Sequence, residues 1–130
     1  KNKKNKLGFV FNLDKHYQSG SHWTSMFINL NNKSKNFGAF YYDSVGNKPP
    51  QEIFDFIKIL QKQSKKYFNT NLPFKYNKIE HQSGNTECGM FSIFYLEKSL
   101  KNTSFNNFIN LKYLNDDYVF KLRDKFYTKS

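Results

Sequence analysis

The order of strand-like and helix-like segments is the feature that most limits the folds open to this chain. Three short apolar and aromatic segments come first, and longer segments with helical spacing follow, with a fourth short segment between them. Strands are predicted over 8–12, 22–30, 37–42 and 74–80, and helices over 51–68, 88–100 and 115–127, with a short capped helical turn within 102–111. This order predicts a mixed α+β domain.

The longest predicted helix, 51–68, has signals at both ends. Pro49 and Pro50 precede it, and proline suits the first turn of a helix. Lysines gather in its last turns, where the helix dipole favours positive charge. For the predicted helix 115–127, Asn115 or Asp116 is the expected N-cap.

The size of the chain and its cysteine content limit its class. With 130 residues it suits one domain around a single core, and we expect residues 1–130 to form that domain. A single cysteine has no intrachain disulfide partner, which favours a reducing, intracellular compartment. No apolar segment approaches the roughly 20 residues of a membrane span, and the basic start lacks the features of a signal peptide. We therefore expect no membrane association.

The net charge of +11 has two interpretations. A strongly basic chain attracts nucleic acid, but 20 of the 21 basic residues are lysines and Arg123 is the single arginine. Specific readers of nucleic acid favour arginine for its bidentate contacts. The richness in Lys, Asn, Phe, Tyr and Ile is also what an A/T-rich coding sequence produces. The composition therefore favours a weak attraction to polyanions over specific recognition.

Cys88 lies where the loop SGNTE meets the predicted helix 88–100. At a helix N-terminus, unpaired backbone N–H groups and the helix dipole stabilise a thiolate. Gly89 would let a substrate backbone come close, and the loop N–H groups suit a developing oxyanion. The alternative is that Cys88 is a small buried hydrophobic residue.

A nucleophilic thiol needs a base, and the chain has three histidines. His16 lies in a polar loop, and His81 is too close in sequence to the thiol to face it easily. His22 begins a predicted strand and precedes Trp23, whose ring would shield the imidazole from water. The alternative for each histidine is an ordinary surface or core residue.

The base in turn needs an orienting group, and the oxyanion needs a donor. Asp43 ends the strand that follows the His22 strand, so adjacent strand ends would bring the two side chains together. Gln82 has an amide N–H that would converge with the backbone N–H of Cys88. The alternatives are an ordinary turn aspartate and a glutamine without a function.

These four parts together resemble a known family. The motifs resemble those of the cysteine peptidases that mature and remove SUMO and other ubiquitin-like proteins, in the clan of the adenovirus protease. The matching segments are His-Trp at 22–23, Tyr-Tyr-Asp-Ser at 41–44 and Gln-x5-Cys-Gly at 82–89. The resemblance runs from about 8 to about 100 and implies a papain-like or adenovirus-protease-like core, with a small mixed sheet flanked by helices and the cysteine at a helix N-terminus.

The resemblance also implies roles for these residues. His22 would be the general base and acid, Asp43 its orienting partner, Cys88 the nucleophile and Gln82 a donor in the oxyanion hole. Trp23 would flank a narrow channel, with Gly89 beside it, that admits small residues such as Gly-Gly before the cleaved bond. The family's chemistry needs neither a metal nor an organic cofactor.

Two further segments, 11–23 and 43–53, are similar to the family's subgroup from large DNA viruses of eukaryotes. That subgroup processes structural polyproteins after Gly-Gly-X sites, so the expected partner is a viral polyprotein, in the host cytoplasm or the virion. A conjugate of a ubiquitin-like modifier is the alternative substrate.

The chain departs from the family pattern in two ways. Glu87 stands where cellular members have aspartate, and the chain is shorter than typical family domains. We therefore expect either a compact viral form or the C-terminal part of a longer protein. Three other functions stay open: an acyltransferase of the same fold, a catalytically silent module that binds polyanions or virion proteins, and a protease that also binds nucleic acid.

Overall fold

The computed structural model describes residues 5–14, 21–81, 88–111, 114–115, 117–119 and 121. Its strands are β1 (Lys6–Asp14), β2 (Ser21–Asn29), β3 (Gly38–Tyr42) and β4 (Phe74–Tyr76), and its helices are α1 (Gln51–Phe68), α2 (Cys88–Leu100) and α3 (Phe105–Ile109). The predicted α+β class is confirmed.

The four strands form one mixed sheet in the order β1-β2-β3-β4. The pairs β1–β2 and β2–β3 are antiparallel. The pair β3–β4 is parallel, because α1 carries the chain back across the sheet between these two strands. The pairing of β2 with β3 puts Ser25 opposite Tyr42. The N-terminus of β2 and the C-terminus of β3 therefore lie at the same edge of the sheet.

The sheet separates two hydrophobic clusters. Because side chains alternate along a strand, neighbouring residues of β2 and β3 enter opposite clusters. One cluster packs the sheet against α2 and α3, and its sheet and α2 members are Phe27, Phe40, Tyr42, Met90, Phe91, Phe94 and Tyr95. The other packs the sheet against α1 and includes Met26, Ile28, Ala39, Tyr41, Ile53, Ile57 and Leu72. The sheet is thus held between helices on both faces.

Helix α1 has the bounds predicted from the sequence. Pro50 occupies its N-cap position with φ −64°, and Asn69 ends it in the left-handed region with φ 51°. Lys65 and Lys66 lie in the last turn, as the dipole favours. None of the helices in the described part of the chain is long and apolar enough to span a membrane.

The predicted strand 74–80 was too long, since β4 ends at Tyr76. The next residue, Asn77, leaves the ladder because its side-chain amide bonds to the backbone of Asp43. In the predicted helix 115–127, residues 117–119 and 121 are helical, and the Asn115 side chain caps it by accepting from Tyr118 N–H. Asp116 and residues 122–127 lie outside the described residues. The predicted capped turn is α3, whose N-cap Ser104 accepts from Asn107 N–H.

Candidate active site

The structure brings His22 and Asp43 together at one edge of the sheet. His22 is the second residue of β2, and Asp43 directly follows β3. The imidazole Nε2 lies 2.9 Å from the carboxylate Oδ1. An ionised carboxylate only accepts hydrogen bonds, so Nε2 carries the proton and Nδ1 has the lone pair of the neutral ring.

The Asp43 carboxylate is almost fully buried, with its side chain 2% exposed, whereas that of His22 is 23% exposed. Burying a charge is costly unless hydrogen bonds and an opposite charge compensate it. Oδ1 accepts from both His22 Nε2 and Val45 N–H, the latter at 2.8 Å. The carboxylate is thus fixed in place to stabilise a positive charge on the imidazole.

Asn77 holds the backbone of Asp43, and sequence reasoning missed it. Its side-chain Oδ1 accepts from Asp43 N–H at 2.9 Å, and its Nδ2 donates to Asp43 C=O at 2.6 Å. Nδ2 also donates to Ile79 C=O at 3.0 Å. The chain has 17 asparagines and nothing local distinguishes this one, because its partner is 34 residues away.

His81 is a buried residue that links three parts of the fold. Its backbone N–H donates to Ser44 C=O at 2.8 Å. Its ring Nε2 lies 2.9 Å from Ile109 C=O and therefore donates to it, so Nδ1 accepts from the Tyr42 hydroxyl at 2.7 Å. Burial lowers the pKa of His81, although the bond to Ile109 acts in the opposite direction.

The Tyr42 hydroxyl stays a donor in this network. Burial, and secondarily the charge of Asp43, raises the pKa of Tyr42 well above its usual value. His81 is therefore held neutral by its surroundings, and it fixes the chain directly before Gln82. These contacts give His81 a structural role, and the statement that it does not face the thiol stays a prediction.

Cys88 is the first residue of α2, as predicted. One turn later, the Ser92 hydroxyl donates to Trp23 C=O at 3.2 Å, which joins the start of α2 to the start of β2. The start of α2, whose first residue is Cys88, and the His22–Asp43 pair consequently lie at the same end of the molecule. The side chain of Cys88 lies outside the described part.

The other predicted site residues have different outcomes. Gln82, residues 83–87 and His16 lie outside the described residues. The Trp23 side chain is exposed. A Cβ added to Gly89 would meet no atom within 4 Å, so the backbone there borders open space. Within the described part of the chain, no group of three or more His, Cys, Asp or Glu residues is arranged to hold a metal ion.

Comparison with known proteins identifies the family. A sequence profile of the Ulp1 protease family, C-terminal catalytic domain, matches residues 3–130. The chain belongs to the Ulp1 protease family. This family comprises cysteine peptidases, so the predicted family and its fold are confirmed.

The most similar relatives include proteins of large DNA viruses. The SUMO-1 cysteine protease S273R of African swine fever virus is 30% identical over 119 residues, which are 92% of this chain and 42% of that protein. Protein R355 of Acanthamoeba polyphaga mimivirus is 33% identical over 107 residues, which are 82% of this chain and 34% of that protein. The predicted resemblance to viral members of the family is thereby confirmed.

A solved structure supports the same assignment. The crystal structure of the selenomethionine form of the African swine fever virus pS273R protease matches with a TM-score of 0.80 and 29% identity. The match covers 92% of this chain and 43% of the viral one. The chain thus spans less than half the length of the curated relatives it matches.

Proposed function

We propose that this chain is a cysteine endopeptidase domain, formed by residues 1–130, that uses Cys88, His22 and Asp43 as a catalytic triad. The 2.9 Å hydrogen bond between His22 Nε2 and Asp43 Oδ1, at the end of the molecule where α2 begins with Cys88, carries the proposal. Membership of a cysteine peptidase family supports it.

In the proposed reaction, His22 Nδ1 takes the proton of the Cys88 thiol, because Nε2 donates to Asp43. The thiolate attacks the scissile carbonyl, and its electrons pass to the carbonyl oxygen of a tetrahedral intermediate. Gln82 and the backbone N–H of Cys88 stabilise that oxyanion. The intermediate collapses to a thioester as the imidazolium protonates the leaving amine, and water activated by His22 then hydrolyses the thioester.

The proposed substrate has small residues, of the Gly-Gly type, before the cleaved bond. Open space borders the backbone at Gly89, which suits a substrate segment without side chains, and we propose the exposed ring of Trp23 as a wall of the channel that holds this segment. We propose a viral structural polyprotein as the natural substrate, which the likeness to proteins of large DNA viruses supports. A conjugate of a ubiquitin-like modifier is the second candidate, supported by the likeness to the SUMO-1 cysteine protease of African swine fever virus.

A weak association with nucleic acid or other polyanions is proposed as a secondary property. The net charge is +11, and the exposed face of α1 carries Lys58, Lys62, Lys65 and Lys66 at helical spacing. Lysines on a solvated helix face attract phosphate groups without reading sequence.

The proposed activity is tested by cleavage of two substrates that share a Gly-Gly sequence, a fluorogenic peptide and a ubiquitin-like protein fused to a reporter. We expect turnover by the wild type and none by Cys88→Ala, whose melting temperature should match that of the wild type. Preference for the peptide would favour a polyprotein substrate, and preference for the fusion a modifier conjugate. Equal turnover by Cys88→Ala would rule out the mechanism.

A further inference from the structure

We propose that Asn77 is a positioning residue for this site, which fixes the backbone of Asp43 and thereby aims its carboxylate at His22. The inference rests on the proposed function, because it concerns the same triad. It assigns a role to a residue that is 34 residues from Asp43 in sequence and that no local motif marks.

The contacts of Asn77 are concentrated on one residue. Its buried side-chain amide bonds to both the N–H and the C=O of Asp43, at 2.9 and 2.6 Å. A third bond, to Ile79 C=O at 3.0 Å, anchors the amide to its own segment. The side chain is therefore oriented at three points, and two of them define where the Asp43 backbone lies.

Asp43 needs such a support because the sheet ends just before it. The last paired residues of β3 and β4 are Tyr41 and Tyr76, so the parallel ladder supplies no backbone partner at Asp43. Asn77 directly follows β4, and its side-chain amide supplies the hydrogen bonds that a continued ladder would give to the backbone of Asp43. Without it, the N–H of Asp43 would lose its partner in a buried setting, and the strand end would relax.

A small displacement of Asp43 matters because its carboxylate has two directional bonds. Oδ1 accepts hydrogen bonds from both His22 Nε2 and Val45 N–H. A shift of the Asp43 backbone by about 1 Å would break this pair of hydrogen bonds. Misplacement on this scale costs roughly 100-fold in rate. We therefore propose that Asn77 acts on the reaction through Asp43.

A merely structural role for Asn77 makes a different prediction, and a matched control separates the two. Asn29 is also a buried asparagine whose side chain bonds to backbone, since its Oδ1 accepts from Asn31 N–H at 3.0 Å. It lies at the opposite end of β2 from His22. Asn29→Ala should therefore lower stability without disturbing the triad.

The experiment measures the rate at which iodoacetamide alkylates Cys88 as a function of pH, together with kcat and KM on the Gly-Gly peptide. The chain has one cysteine, so the alkylation signal has a single source. The wild type is compared with five variants, and the melting temperature of each protein is measured. The variants are Asn77→Ala, Asn77→Asp, Asn29→Ala, Asp43→Asn and the double variant Asn77→Ala/Asp43→Asn. Asn77→Asp conserves the volume of the side chain, but its ionised carboxylate cannot donate to Asp43 C=O. If Asn77→Ala does not fold, Asn77→Asp still tests the role of this hydrogen bond.

We expect both Asn77 variants to move the alkylation profile to higher pH and to lower kcat by roughly 10- to 100-fold with KM little changed. Asn29→Ala should keep the wild-type profile. In the Asp43→Asn background, Asn77→Ala should cause little further loss of kcat, because the group it positions has already been changed.

Other outcomes overturn specific claims. If Asp43→Asn moves the profile and folded Asn77 variants do not, the role of Asn77 is refuted while the triad stands. Fully additive losses in the double variant, or an equal shift in Asn29→Ala, would likewise refute it. If the alkylation profile of the wild type matched that of an ordinary thiol, with a midpoint at about pH 8.5, the proposed function itself would be refuted.

Discussion

At the scale of single residues, the bond between His22 Nε2 and Asp43 Oδ1 leaves Nδ1 as the imidazole nitrogen for the proposed base. In the proposed reaction, Nε2 is protonated and bound to the carboxylate, so Nδ1 would take the proton from the thiol and the carboxylate would stabilise the positive ring. Both residues were predicted from the sequence, because antiparallel neighbours put the start of one strand beside the end of the next. Asn77 was not, because the bond that defines its role joins residues far apart in the chain.

Substitution at the pair should have unequal effects. We expect His22→Ala to lower kcat by roughly 10²- to 10⁴-fold, because it removes the proton acceptor. Asp43→Asn should lower kcat less, because the imidazole stays in place and loses only its charged partner. Steady-state kinetics on the Gly-Gly peptide measure both. An Asp43→Asn variant that is folded and more damaged than His22→Ala would contradict this order of roles.

At the scale of elements, sequence patterns predicted what is local and missed what is tertiary. The bounds of α1 follow from proline before it and lysines at its end, signals that lie within the helix or beside it. The predicted length of β4 was too great because the sequence alternation continues past Tyr76. In the structure the strand ends there, and the Asn77 side chain bonds to the backbone of Asp43. The network of Tyr42, His81 and Ile109 also had no local signal, since it joins residues from three segments.

The turn after β3 should depend on Gly46. Its φ is +90°, its N–H donates to Asp43 C=O, and an added Cβ would lie 2.9 Å from Lys78 C=O. We expect Gly46→Ala to lower the free energy of unfolding by about 1–3 kcal/mol through backbone strain and this close contact. Urea unfolding measures the loss.

Gly8→Ala is the matched control for this turn. An added Cβ at Gly8 would make an ordinary contact of 3.5 Å with the side chain of Leu96. Its free energy of unfolding should stay within about 0.5 kcal/mol of the wild-type value. Equal losses in the two variants would show that the strain at Gly46 has no energetic consequence.

The His81 network should make stability depend on pH. Burial holds the folded-state pKa of His81 below its usual 6.5, whereas the unfolded chain binds the proton at the usual pH. The stabilisation from neutral His81 is therefore fully present above pH 6.5 and is lost as the pH falls towards the lowered pKa. His81→Gln has no titrating ring, and its amide still offers a donor and an acceptor.

Denaturant unfolding of the wild type and of His81→Gln between pH 5 and about 8 measures this contribution. The difference in free energy of unfolding between the two proteins should change below about pH 6.5, to the disadvantage of the wild type. A constant difference across this range would mean that His81 does not titrate differently in the folded and unfolded states.

At the scale of the whole molecule, the lysines of α1 and the start of α2 lie on opposite faces of the sheet. The lysines Lys58, Lys62, Lys65 and Lys66 lie on the exposed face of α1, which packs on one side of the sheet, whereas α2 with Cys88 belongs to the other. The fold class and the family were predictable because they rest on segment order and on a motif spread over much of the chain. The proposed association with polyanions rests on charge alone.

Binding to single-stranded DNA should be weak, indifferent to sequence and sensitive to salt. We expect the logarithm of the binding constant to fall linearly with the logarithm of salt concentration, by about 0.7 for each phosphate contacted. Replacing Lys58, Lys62 and Lys66 by Gln should reduce this slope more than the same change at Lys33, Lys35 and Lys101, although each variant lowers the net charge of +11 by three. Equal slopes in the two variants would exclude α1 as the binding face.

The most direct test of the account is labelling of the native protein by a Gly-Gly peptide with a C-terminal thiol-reactive electrophile, read by intact mass. The controls are His22→Ala, Cys88→Ala and the denatured wild type. We expect rapid addition of one probe to Cys88, which requires the native fold and is strongly slowed in His22→Ala. Labelling of folded wild type no faster than that of His22→Ala or of the denatured chain would contradict the claim that His22 and Asp43 activate this thiol.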